Sequence, residues 1–78
     1  MRHYYAEYNR YGLNSNGPAR NHEFHRFDTR AERDKWVLDN QYDSFGFLAA
    51  AKCTRAIVER NLGQDFLVTA DGLCFESW

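Results

Sequence analysis

Tyrosines occupy both faces of one strand near the start of the chain, and this limits the folds open to it. In RHYYAEYNRY the two-residue period of a strand turns Tyr4, Ala6 and Tyr8 one way and Tyr5, Glu7, Asn9 and Tyr11 the other. One row can line a core. The second has to be covered by another element or left facing water, where broad, stiff, amphipathic rings are what protein partners and nucleic-acid bases bind. A chain of 78 residues makes one domain, residues 1–78, and buries only about 60–65% of its unfolded surface, so its core is small.

Apolar residues make up 44% of the chain and aromatics 17%, which suits a folded globule rather than a disordered segment. No internal repeat, linker or low-complexity tract is evident. The longest uncharged apolar stretch, residues 45–51, is far short of a membrane span. Charges and tyrosines from residue 2 onward do not make a signal peptide, so the expected location is the cytoplasm. Ten basic against eleven acidic residues give a net charge of −1, without the strong positive field of a duplex binder. The charge is uneven: seven Lys and Arg against five Asp and Glu over residues 1–35, then three against six over residues 36–78. Such a dipole can orient a protein on a partner. Cys53 and Cys74 lack Cys-x-x-Cys spacing and read as free, packed thiols of a reducing compartment.

The pattern predicts a first strand over residues 2–11, a turn over 12–21 around Asn16-Gly17 and Pro18, and a second strand over 22–27. Thr29 with Glu32 three residues on is a capping box that opens a helix running to Asp39. A second helix is expected over 45–62, with Phe47, Ala50, Ala51, Thr54, Ile57 and Val58 as its buried stripe and Gly63 as its stop. Asp71-Gly72 signals a two-residue hairpin that pairs Ala70 with Leu73 and Val68 with Phe75. This places Phe66, Val68, Ala70, Leu73 and Phe75 in the core, and Leu67, Thr69, Cys74, Glu76 and Trp78 on the other side. The economical architecture is α+β, in the order ββααββ: an antiparallel sheet with two helices packed on one face. Its other face would then expose Tyr5, Tyr11, Leu67 and Trp78.

Catalytic patterns are scarce. There is no phosphate-binding glycine loop, nucleophile elbow or zinc-protease motif. His22 and His25 fall on opposite faces of a strand and chelate poorly together, so no metal or other cofactor is expected. Cys53 beside a buried stripe is an inert thiol rather than a nucleophile. The acid pairs Asp39 with Asp43, Glu32 with Asp34 and Asp65 with Asp71 read as solvated surface groups. Arg26, Arg30, Arg33 and Lys35 flank the first helix, where nearby acids make them a salt-bridged face or a contact for an acidic partner.

The tyrosine-rich opening strand, Tyr4 to Tyr11, followed by Phe27-Asp28-Thr29 and Ala31-Glu32-Arg33-Asp34-Lys35-Trp36-Val37, resembles small α+β proteins of phages and mobile elements, some of them anti-CRISPR proteins. The resemblance covers about a quarter of the chain and carries no catalytic motif. It implies a compact inhibitor, working in the cytoplasm of a bacterial host, that occupies a surface of a larger protein or ribonucleoprotein complex. The leading expectation is therefore a non-enzymatic protein-binding module with Tyr5, Glu7, Asn9, Tyr11 and Trp36 at the contact and Arg10 and Arg33 in support. The alternative is a single-stranded nucleic-acid binder that stacks bases on an aromatic sheet face, with Arg2, His3, Arg10 and Arg26 on the phosphates. A third reading makes the aromatic face a homodimer interface.

Overall fold

The tyrosine strand is β1 (Tyr4–Asn9), and it lies inside a five-stranded antiparallel sheet with a neighbour on each side. The computed structural model describes residues 2–13 and 22–77. The expected turn at Asn16-Gly17 and Pro18, and the placement of Trp78, lie outside the described residues. Along the chain follow β2 (His22–Phe27), α1 (Arg30–Asp39), β3 (Ala50–Cys53), α2 (Arg55–Leu62), β4 (Leu67–Val68) and β5 (Leu73–Phe75). The sheet order is β3-β1-β2-β5-β4. The α+β class and the antiparallel sheet are as expected, whereas the order gains a strand between the helices.

Both faces of β1 are covered, each by its own helix, although Tyr11, just past the end of the strand, is exposed. Tyr5 packs with Phe24, Cys53, Cys74 and Val58 of α2. Ala6, its neighbour on the other face, packs with Ala50 and with Val37 of α1, and Tyr8, Phe27 and Trp36 close round them. Adjacent strand residues point to opposite faces, so α1 and α2 sandwich the sheet. The expectation of two helices on one face is corrected here, and the physical reason is the double tyrosine row itself. Burying both rows takes two layers of cover. Ala6 and Ala50 are the small floor on which α1 sits, and both are fully buried.

The helix expected over 45–62 forms only in its second half. Asp43 accepts the amides of Phe45 and Phe47 at 2.8 and 2.9 Å, and Gly46 takes φ of +87°, a turn that no helix contains. Thr54 then acts as a cap: its φ of −101° and ψ of 162° are extended, and its hydroxyl accepts the Ile57 amide. Between turn and cap, Ala50 to Cys53 pairs with β1 in the register Tyr5↔Cys53 to Tyr8↔Ala50. The alanines match a helical stripe in sequence, but the sheet edge beside β1 takes them as a strand.

The last hairpin is one residue out of the expected register. Leu67 pairs with Phe75 and Val68 with Cys74, across a three-residue loop closed by Thr69 N to Leu73 O at 2.9 Å and Gly72 N to Thr69 O at 3.0 Å. A one-residue slip exchanges the faces of a strand. In β5 Cys74 is therefore the buried residue and Phe75 the exposed one, whereas Phe66 and Val68 pack against the core and Leu67 faces out, as expected.

Candidate functional site

β2 and β3 flank β1, and both run antiparallel to it. Each ends beside the start of β1, and each passes almost at once into a helix: Phe27 through Asp28 and Thr29 into α1, Cys53 through Thr54 into α2. Both helices therefore begin at one end of the sheet. A cleft of about 630 Å³ opens there, lined by Arg2, Arg30, Arg33, Lys52 and Arg55, together with His3, Tyr4, Tyr5, Cys53 and Thr54. Half of the chain's ten lysines and arginines meet in this one place, although the protein as a whole is close to neutral.

Tyr5 organises the cleft from below. Its ring is buried, with 4% of its surface exposed, and stands edge-on to Phe66 at 6.1 Å. Its backbone carbonyl accepts Nη1 of Arg33 at 3.2 Å, and its hydroxyl accepts Nη1 of Arg55 at 3.1 Å. Arg33 also donates through Nε to Asp34 at 2.7 Å, and Arg55 through Nε to Glu59 at 2.9 Å. The Arg55 guanidinium further lies over Phe66 at 5.0 Å. The guanidiniums of Arg30 and Arg33 each stand 5.6 Å from the ring centre of Tyr4, within cation–π range.

The cations outnumber the anions that answer them. Asp34 serves Arg33 and, at 3.8 Å, Lys52; the bond from Arg33 holds the Asp34 carboxyl below its ordinary range. Glu59 serves Arg55. Among the described residues no carboxylate lies within ion-pair reach of Arg2 or Arg30. Arg30 and Arg55 are moreover the first residues of their helices, where the helix dipole favours an acid and disfavours a cation. The Thr54-capped helix has no acidic residue in its first turn, whereas α1 carries Glu32 there, its carboxylate engaged by the Thr29 hydroxyl. The arrangement draws an anion toward five positive side chains and two helix starts.

Of the residues expected at the contact, Tyr5 and Arg33 meet in this cleft, with Tyr5 as scaffold rather than contact. Glu7 is half-buried on the α2 face with His22 3.9 Å away. Asn9 is 3% exposed and builds a turn, its side chain accepting the Tyr11 amide at 2.9 Å. Arg10 and Tyr11 are exposed at the far end of β1 and bond to each other at 2.7 Å. Trp36 packs under α1, its ring 4.6 Å from His25, 5.6 Å from Phe27 and 5.9 Å from Tyr8. The seven do not share one surface. Lys52 and Arg55 are not among the expected site residues; nothing in the sequence marks Lys52, but Arg55 has a signal, because Thr-Arg-Ala occurs twice, at 29–31 and 54–56, each time as cap, first and second residue of a helix.

Cys53 lies on the cleft wall, but burial pushes its thiol up to about 12, so at neutral pH it is protonated and a poor nucleophile. Cys74, in the same layer, is pushed up to about 11, again by burial. Among the described residues no cluster of three His, Cys, Asp or Glu side chains is placed to hold a metal ion, and no helix is long and apolar enough to cross a membrane.

Comparison with known proteins gives no match to a family model, a curated protein or a solved structure. The functional reading therefore rests on the cleft itself.

Proposed function

We propose that the protein is a non-enzymatic binding module that covers an acidic surface of a protein partner with its cationic cleft. One observation carries the reading: two helices from different parts of the chain start at the same cleft, and both place an arginine where folding alone favours an acid. The protonated thiol on the cleft wall supports binding over covalent chemistry. Inhibition of a bacterial defence complex, in the manner of phage and mobile-element proteins, is the narrower form of this proposal and draws its support from the resemblance of Tyr4 to Tyr11 and Phe27 to Val37.

Single-stranded nucleic acid is the second reading, because phosphates are also anions. Of its expected platform, Tyr5 lies beneath α2 while Tyr11 and Leu67 are exposed, and the cleft would have to hold the strand. Titrating isotope-labelled protein with an oligoglutamate peptide and with an unstructured oligonucleotide, followed by NMR, separates the two. The expected result is peptide-induced shifts confined to residues 2–5, 30–33 and 52–55. These shifts vanish in Arg30→Glu/Lys52→Glu, while the Arg30→Glu single variant melts at or above the parent temperature. No localised shift with either ligand sinks the proposal. Preferential oligonucleotide binding that collapses with salt transfers the site to nucleic acid.

A further inference from the structure

The cationic cleft straddles the plane of the sheet. Lys52 pairs with Ala6 and so shares the α1 face. There it stands 3.8 Å from Asp34, and Arg30 and Arg33 lie against Tyr4. Cys53 pairs with Tyr5, and on that α2 face Arg55 bonds the Tyr5 hydroxyl. One ligand that meets cations on both faces has to enter in the plane between them. The end of β3 lies in that plane, and Lys52, Cys53 and Thr54 all line the cleft.

β3 is an edge strand, paired with β1 on one side. The Asn9 amide donates to the Ala49 carbonyl at 2.8 Å, so Asn9 and Ala49 are a hydrogen-bonded pair. The register then makes bonded pairs of Glu7 with Ala51 and Tyr5 with Cys53. Ala50 and Lys52, between them, turn their N–H and C=O groups the other way, out of the sheet. At Ala50 this edge is closed, because the Gln41 carbonyl takes the Ala49 and Ala50 amides at 2.7 and 3.4 Å. At Lys52 no backbone partner lies on that side among the described residues. An open edge accepts a further strand, whose side chains point alternately to the two faces. A strand beside Lys52 sets one side chain against Lys52 on the α1 face and the next toward Arg55 on the α2 face, so consecutive acids answer both. A helix laid there turns one face to the cleft and leaves the free backbone groups unused. A second copy of this chain is disfavoured by charge: it brings the same cations to the edge, and lysine is a common guard of sheet edges against self-pairing.

We infer that an acidic, extended segment of the protein partner adds to β3 as a further strand, bonded to the Lys52 backbone, with consecutive carboxylates on Lys52 and Arg55. Strand addition rests on the reading of the cleft as a site for an acidic protein surface, and it specifies how that surface is held. Hexaglutamate and its fully N-methylated counterpart, equal in charge, are the probes. By NMR, hexaglutamate is expected to shift the cleft residues and to slow solvent exchange of the Lys52 amide by about tenfold or more. The N-methylated peptide, which cannot donate to a strand, is expected to bind about tenfold more weakly. Lys52→Pro removes the outward N–H at an edge position, where proline is tolerated. It is expected to bind hexaglutamate about fivefold more weakly than Lys52→Ala, which loses the same charge but keeps the N–H. Should Lys52→Pro not fold, the exchange of the Lys52 amide and the two peptides decide. Cleft shifts without protection of Lys52, and with both peptides bound alike, leave the cationic cleft standing and overturn strand addition. No shift with either peptide sinks both. A Lys52 amide that becomes protected as the protein's own concentration rises, with a doubling of mass by sedimentation, gives the edge to a second copy and overturns the inference as well.

Discussion

Tyr5 joins two arginines from different helices, one through its carbonyl and one through its hydroxyl. Removing that hydroxyl tests the connection with little change in volume. Tyr5→Phe is expected to cost about 0.5–1.5 kcal/mol of stability by urea titration and to weaken anion binding by up to about tenfold, as Arg55 loses one of its two anchors. An unchanged affinity removes Tyr5 from the site. The sequence draws attention to this tyrosine, but for the wrong reason. Strand alternation marks it as a residue of the second row, yet it cannot say that a helix 50 residues further on will cover that row. The places of Asn9 and Trp36 are decided in the same way. Their roles, a turn and a ring cluster under α1, depend on neighbours that are distant in sequence.

Elements whose signals are local are legible, and those decided by distant pairing are not. The Thr29 cap holds, its hydroxyl donating to Glu32 Oε1 at 2.9 Å and accepting the Glu32 amide at 3.2 Å; Gly63 ends α2 as expected, with φ of +92°. Residues 50–53 fail as a helix because the vacant edge of β1 is invisible in the chain's local pattern. The Asp71-Gly72 turn is found, but its length is not, because two- and three-residue loops share the same glycine. At Gly72, φ is +96°, and a Cβ there would stand 2.5 Å from the Arg26 carbonyl oxygen, while the Gly72 carbonyl accepts the Arg26 amide at 2.7 Å. Gly72→Ala is therefore expected to destabilise the fold by roughly 2–4 kcal/mol, through both strain and collision. Thermal melting measures this directly, and a loss below about 1 kcal/mol would show that the hairpin can shift off β2 at little cost.

The whole molecule is a sheet with a cationic end and a cysteine-bearing layer beneath α2. That layer makes stability depend on pH. Cys53 and Cys74 titrate near 12 and 11 when folded, against about 8.5 in an unfolded chain. Below about pH 8.5 both states hold these protons, and nothing changes. Above it the unfolded chain releases protons that the folded protein keeps, so stability falls as pH rises toward 11–12. The urea midpoint is expected to drop more steeply from about pH 9 upward in the parent than in Cys53→Ala/Cys74→Ala. Parallel slopes would mean that the thiolates are not excluded from the layer.

The arginine that opens α1 gives the molecule a history that can be read. A first-turn cation is disfavoured by the helix dipole, and exchange for an acid at this exposed position gives up only the surface contact of Arg30 with Tyr4 and its longer-range attraction to Asp34. Drift under selection for folding alone would run toward glutamate or aspartate there. A descendant that no longer needed its cleft would lose Arg30 before it lost any buried residue, so the state of that one position serves as a marker of whether the cleft is still in use.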